Sequence, residues 1–181
     1  MKPSEINREE KIRLHCSALA GAIIAIRPIY STLAAPQKAL LETMIGAAIW
    51  YIPKPKDAWT GKISQKALKA LHPDSENLNF KLSEEHVYPR KVAACMLLRD
   101  SSLTSQTMEL IFREQYGRLH YITPEENKNV IQYQRAEVFS NPEEAYRKAG
   151  ILLIEVLRED LRAIKKRDRS TIEKYYNEIG G

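Results

Sequence analysis

Apolar residues recur at broadly helical spacing in the first part of the chain. Ile6, Leu14, Leu19, Ile23 and Ile26 predict a helix capped by Ser4 and running to about Arg27, where Pro28 kinks or ends it. Pro36 suits a first helical position, and QKALLETMIGAAIWYI predicts a second helix, apolar almost all round in its last half and so either core or a dimer face. Pro53 and Pro55 close it. KPKDAWTGK is expected to be loop, KISQKALKAL an amphipathic helix, and His72-Pro73-Asp74 its stop. HPDSENLN is polar and turn-rich, and the one boundary the chain offers lies there, between 1–79 and 80–181, unless the whole is one compact domain.

Beyond Phe80 the pattern changes. FKLSEEHVY predicts a short strand ending at Pro89, followed by the apolar helix KVAACMLLR and the amphipathic SLTSQTMELIFREQY, with Gly117 as a helix C-cap. RLHYI reads as a second strand. Thr123-Pro124-Glu125-Glu126 is a capping box with proline in the first helical position, and Asn141-Pro142-Glu143-Glu144 repeats its logic. ILLIEVLREDLRAIKKR continues the helical character, and Ser170-Thr171-Ile172-Glu173 opens a terminal helix that ends at the paired glycines. The expected class is mainly α, of α+β type, with two short strands.

Composition narrows the class further. A chain of 181 residues with 44% hydrophobic and 28% charged positions and only 7 glycines suits a folded, helix-rich protein. Its formal charge of +5 favours an anionic partner such as nucleic acid. Cys16 and Cys95 stand apart in apolar surroundings, as reduced core residues would. Charges occupy the place where a signal peptide needs an apolar core, and Arg27 and Pro28 interrupt the apolar run before them, so a cytoplasmic protein without a membrane span is expected. A phosphate-binding glycine loop, a nucleophile elbow and a dinucleotide fingerprint are all missing, which sets those enzyme classes aside.

Chemistry concentrates at two motifs. Glu85-His86-Val87-Tyr88-Pro89 resembles the acid-His-x-x-Pro opening of HNH, or ββα-metal, nucleases, and Ile122-Thr123-Pro124-Glu125-Glu126-Asn127-Lys128-Asn129 is similar to the Thr-x-x-Glu-Asn helix start of some of them. The resemblance implies a ββα-like element, here with a helical insertion between its strands, and hydrolysis of DNA or RNA phosphodiesters. It implies that His86 is the general base, that Glu85 and Asn127 bind one divalent cation, Mg²⁺ or Mn²⁺, and that this cation stabilises the phosphorane and the leaving oxygen. His120 is a further candidate ligand. The chemistry agrees with these roles, since an imidazole titrates near neutrality and Mg²⁺ prefers oxygen donors. Arg90, Lys91, Arg118 and Lys128 flank the motifs as candidate phosphate contacts. The family usually joins its strands by a loop, whereas two predicted helices intervene here, and no second histidine follows Asn127, which leaves the asparagine-type variant.

Each of these residues also has a plainer reading. Glu85 and His86 suit a solvated strand end, Asn127 an exposed first turn, and His120 a surface-facing or bonded strand histidine. Trp50 and Tyr51 end an apolar helix and are expected in the core, with Trp59 and Tyr88 as further candidates for stacking on bases. The rival to a nuclease is a non-catalytic helical protein that binds nucleic acid or an acidic protein, with the apolar N-terminal helices available for a homo-oligomer.

Overall fold

The computed structural model describes residues 6–76 and 79–177, and it is mainly helical with a small mixed sheet. The expected Ser4 cap and the terminal glycine stop lie outside the described residues. In chain order the elements are α1 (Arg8–Tyr30), α2 (Ala35–Tyr51), β1 (Trp59–Ser64), α3 (Gln65–Leu71), β2 (Ser83–His86), α4 (Arg90–Arg99) and α5 (Ser105–Ile111). A π-helical turn (Phe112–Tyr116) leads to β3 (Leu119–Ile122), α6 (Pro124–Val130), α7 (Pro142–Lys148), β4 (Leu153–Glu155), α8 (Leu161–Lys165) and α9 (Arg169–Asn177). Two compact units divide them: Met1–Ala58, His86–Arg118 and Gln134–Phe139 form the first, and Trp59–Glu85, Leu119–Tyr133 and Ser140–Gly181 the second. Neither is one continuous stretch, as a single boundary near residue 80 would have made them.

The first unit is a helical assembly around an apolar core. The Asn7 side chain caps α1 by accepting from the Glu10 N–H, and Ile12, Cys16, Leu19 and Ile23 turn one stripe of the helix inward. Pro28 does not end α1, which runs on to Tyr30. That last turn is held by the buried Tyr30 ring, whose hydroxyl donates to Glu42 at 2.6 Å. From α2 only Ile45, Gly46 and Ile49 are buried, and a Cβ at residue 46 would stand 3.0 Å from the Arg90 carbonyl oxygen, so α2 and α4 approach backbone to backbone. Leu97, Leu98, Met108 and Phe112 complete the core from α4, α5 and the π turn. By length and composition α1 is apolar enough to cross a membrane, and its buried stripe belongs to this core.

Gly117 is needed for a reason other than a left-handed cap. Its φ is −89°, and its N–H donates to the Phe112 carbonyl at 2.7 Å, closing the π turn. A Cβ there would stand 2.8 Å from that carbonyl oxygen and 3.0 Å from the Phe112 ring.

The second unit holds the sheet, in the order β2-β3-β1-β4. The two expected strands, β2 and β3, are neighbours, and the Val87 N–H donates to the Arg118 carbonyl at 3.1 Å, so the end of β2 lies beside the start of β3. Two strands were not expected. β1, read as loop and helix, runs parallel to β3 and antiparallel to β4, with Ile63 opposite both Tyr121 and Ile154. β4 lies inside a stretch read as helical. All four residues of β3 are buried, the position of a strand covered on both faces. The terminal helix is capped by Asp168 and not from Ser170: the Asp168 carboxylate accepts from the Thr171 N–H at 2.9 Å and from both neighbouring hydroxyls.

Candidate functional site

The capping box of α6 forms as the sequence predicts and does more than cap. Thr123 Oγ1 accepts from the Glu126 N–H at 3.0 Å, and the Glu126 carboxylate accepts from the Thr123 N–H at 2.9 Å. Glu126 is buried, and the same carboxylate also accepts from Ser64 Oγ of β1 at 2.5 Å. One residue later, Asn127 Nδ2 donates to Ser83 Oγ of β2 at 2.8 Å. Because β3 lies between β2 and β1, these two bonds carry the start of α6 across β3 and fasten it on either side.

On the same sheet, Glu85 is two residues beyond Ser83 and so shares its face of β2. Only 8% of Glu85 is exposed. His120 of β3 is buried, not surface-facing; its Nδ1 lies 2.5 Å from Thr60 Oγ1, and its ring centroid is 5.2 Å from that of Tyr146. Thr60 Oγ1 also lies 3.2 Å from the Leu119 carbonyl oxygen, so its one proton serves either that carbonyl or His120 Nδ1. Tyr146 of α7 has a buried hydroxyl without a hydrogen-bond partner. Burial, and then the negative charge of Glu85, push that phenol well above its usual titration range. The buried Glu85, His120 and Tyr146, with the half-buried Thr60, thus form a polar cluster beside the α6 clamp.

His86 belongs to the first unit. Its ring lies 4.5 Å from that of Trp50, and its Nδ1 is 3.3 Å from the Tyr116 carbonyl oxygen. A carbonyl only accepts, so Nδ1 carries a proton, and Nε2 is buried. Above the same indole sits the Arg90 guanidinium, 4.6 Å from the ring centroid.

The four candidate phosphate contacts divide into two pairs. Lys91 is 3.7 Å from the Glu42 carboxylate, and Arg118 holds Asp57 through both its backbone oxygen, at 2.8 Å, and its carboxylate, at 3.1 Å. Those two cations already serve carboxylates of the protein. Arg90 and Lys128 face solvent.

The expectation that Trp50 and Tyr51 are core is overturned: they are 48% and 78% exposed. Helix α2 carries more apolar surface than its unit covers, so the surplus faces water. Trp59 is buried, with Nε1 donating to the Lys62 carbonyl at 2.8 Å, and Tyr88 packs edge-on to Tyr116.

Sequence reasoning did not single out Ser83, Ser64, Thr60 or Tyr146. Ser64 and Thr60 lie on the unexpected strand β1, and Ser83 and Tyr146 carry no signal without knowledge of what they face. Glu126 was named as a cap, yet its third bond, to Ser64, has no trace in local sequence. Among the described residues, no group of three or more His, Cys, Asp or Glu side chains is placed to hold a metal ion. The implied donors, the Glu85 carboxylate and the Asn127 amide oxygen, are hard oxygens, which fit Mg²⁺ or Mn²⁺ better than zinc. Compared with known protein families, curated proteins and solved structures, the chain matches none of them.

Proposed function

We propose that the chain is a metal-dependent endonuclease that hydrolyses phosphodiester bonds in DNA or RNA, with His86 as general base and Glu85 and Asn127 as protein ligands of Mg²⁺ or Mn²⁺. The observation that carries this reading is the Asn127–Ser83 hydrogen bond, which ties the helix start of one motif to the strand of the other, two residues from Glu85. A bound divalent cation supplies charge neutralisation at the non-bridging and leaving oxygens. Mg²⁺ commonly uses one or two carboxylates and completes its shell with water and substrate phosphate, so a sparse protein donor set is in keeping with that cation. The chain's own contribution starts at the Tyr116 carbonyl, which accepts from Nδ1 of His86, so Nε2, a buried nitrogen, is the atom proposed to take the proton of the attacking water. The clamp at Ser64 and Ser83 fixes where α6 presents Asn127, and solvent-facing Arg90 and Lys128 offer charge to phosphates.

The test is plasmid and RNA cleavage by purified protein in Mg²⁺ and in Mn²⁺, beside a folded His86→Ala variant. Cleavage by the wild type that the variant loses supports the mechanism, and equal activity in both proteins, or none in either, rejects it. A second reading, binding without cleavage, draws on the exposed Trp50 with Arg90 stacked upon it. Salt-sensitive binding that needs no metal and yields no products favours that reading.

A further inference from the structure

We infer that the C-terminal end of α2 is a stacking platform for single-stranded nucleic acid. The inference rests on the nucleic-acid substrate of the proposed function and not on cleavage.

The platform is built within the first unit. Trp50 leans on the His86 ring, takes the Arg90 guanidinium above its indole, and leaves about half its surface in water. Tyr51, the next residue and the last of α2, is 78% exposed. The loop that leaves this helix end brings the exposed Lys54 and Lys56 within a few residues of both rings. Exposed aromatic rings attended by cations suit a strand that offers flat bases and a phosphate backbone: the rings stack on bases, while an arginine fork pairs with phosphate oxygens.

Charge decides against a second copy of this chain as the occupant, because it would set Arg90 and Lys56 against their own equivalents. Asp57, the nearby acid, is already held by Arg118. Geometry decides for a single strand, because in a duplex the base faces are covered by their neighbours and an indole reaches only an unpaired base.

The experiment titrates wild-type protein with oligothymidylate and, separately, oligouridylate of about 12 nucleotides, within the site sizes of single-strand binders. EDTA is present, and fluorescence anisotropy and tryptophan emission are both followed. Trp59 is buried, so quenching on binding reports Trp50. Quenching should accompany binding, and Trp50→Ala should weaken binding by about 5- to 150-fold while Trp50→Phe keeps most of it. The two oligonucleotide arms show whether the strand is DNA or RNA. Binding without quenching, no binding to either oligonucleotide, or unchanged affinity in a folded Trp50→Ala protein overturns the inference. The wild-type quenching arm decides the matter even if the alanine variant does not fold. Plasmid cleavage that persists without oligonucleotide binding removes only the platform, whereas oligonucleotide binding without metal-dependent cleavage removes only the nuclease.

Discussion

Glu126 and Ser64 should be energetically coupled, and the coupling can be measured. Their bond is 2.5 Å long and joins a hydroxyl to a buried carboxylate that also closes the capping box. Hydrogen bonds to charged groups contribute about 1.5–3 kcal/mol, toward the upper end where water is excluded. Glu126→Gln keeps the shape of the side chain but removes the charge from the one oxygen, Oε2, that accepts from both Ser64 Oγ and the Thr123 N–H. Ser64→Ala removes the hydroxyl and, with it, the α3 cap that Ser64 Oγ provides to the Ala67 N–H, which costs about 1 kcal/mol by itself. A double-mutant cycle cancels that separate capping term and leaves the pair, for which we expect about 1.5–3 kcal/mol. The assay is urea unfolding of the four proteins, followed by circular dichroism and by tryptophan emission, with coincident transitions as the check on two-state behaviour. A coupling under about 0.5 kcal/mol, the scale on which independent sites add, would refute the clamp across β3.

Three further outcomes follow from the structure. Gly117→Ala should destabilise the protein by about 1–3 kcal/mol, read as a lower urea midpoint, because its new Cβ would stand 2.8 Å from the Phe112 carbonyl oxygen; an unchanged midpoint would mean that the π turn yields freely. Burial raises the Glu42 carboxyl, but hydrogen bonds from Tyr30 and Cys95 with the Lys91 charge outweigh it and leave the group below its usual value. Its contribution is therefore complete above the unfolded carboxyl value of about 4.3 and is lost as pH falls through the lower folded value, and Glu42→Gln should flatten the acid limb of a stability–pH curve. Asn127→Ala should lower stability by only about 0.5–1.5 kcal/mol, the worth of one neutral hydrogen bond, while abolishing metal-dependent cleavage; activity that merely tracks folded fraction would make Asn127 a structural residue.

What the chain disclosed in advance was local. The capping box at Thr123, the N-cap at Asn141, the strand LHYI and the helix over VAACMLL are written in side chains that act on residues three or four positions away, and each forms, although Glu144 pairs with Arg147 and does not close a box at Asn141. Misplaced features depended on partners distant in sequence. WTGKIS carries a glycine and a lysine and becomes a central strand because β3 and β4 pair with it on either side. LIE sits in an apolar run whose periodicity does not separate a buried strand from a helix. The exposure of Trp50 and Tyr51 was hidden for the same reason: hydrophobicity along α2 records how much apolar surface exists, not how much of it the unit covers. Of the candidate site, the sequence named Glu85, His86, His120 and Asn127, but not the serines that fasten α6 or the tyrosine that lies over His120.

Supercoiled plasmid and a single-stranded RNA are incubated with wild-type protein, with folded His86→Ala and with folded Asn127→Ala, in Mg²⁺, in Mn²⁺ and in EDTA. The prediction is nicking or strand scission by the wild type that EDTA stops and both substitutions abolish. Products that persist in EDTA, or a His86→Ala protein as active as the wild type, would contradict it.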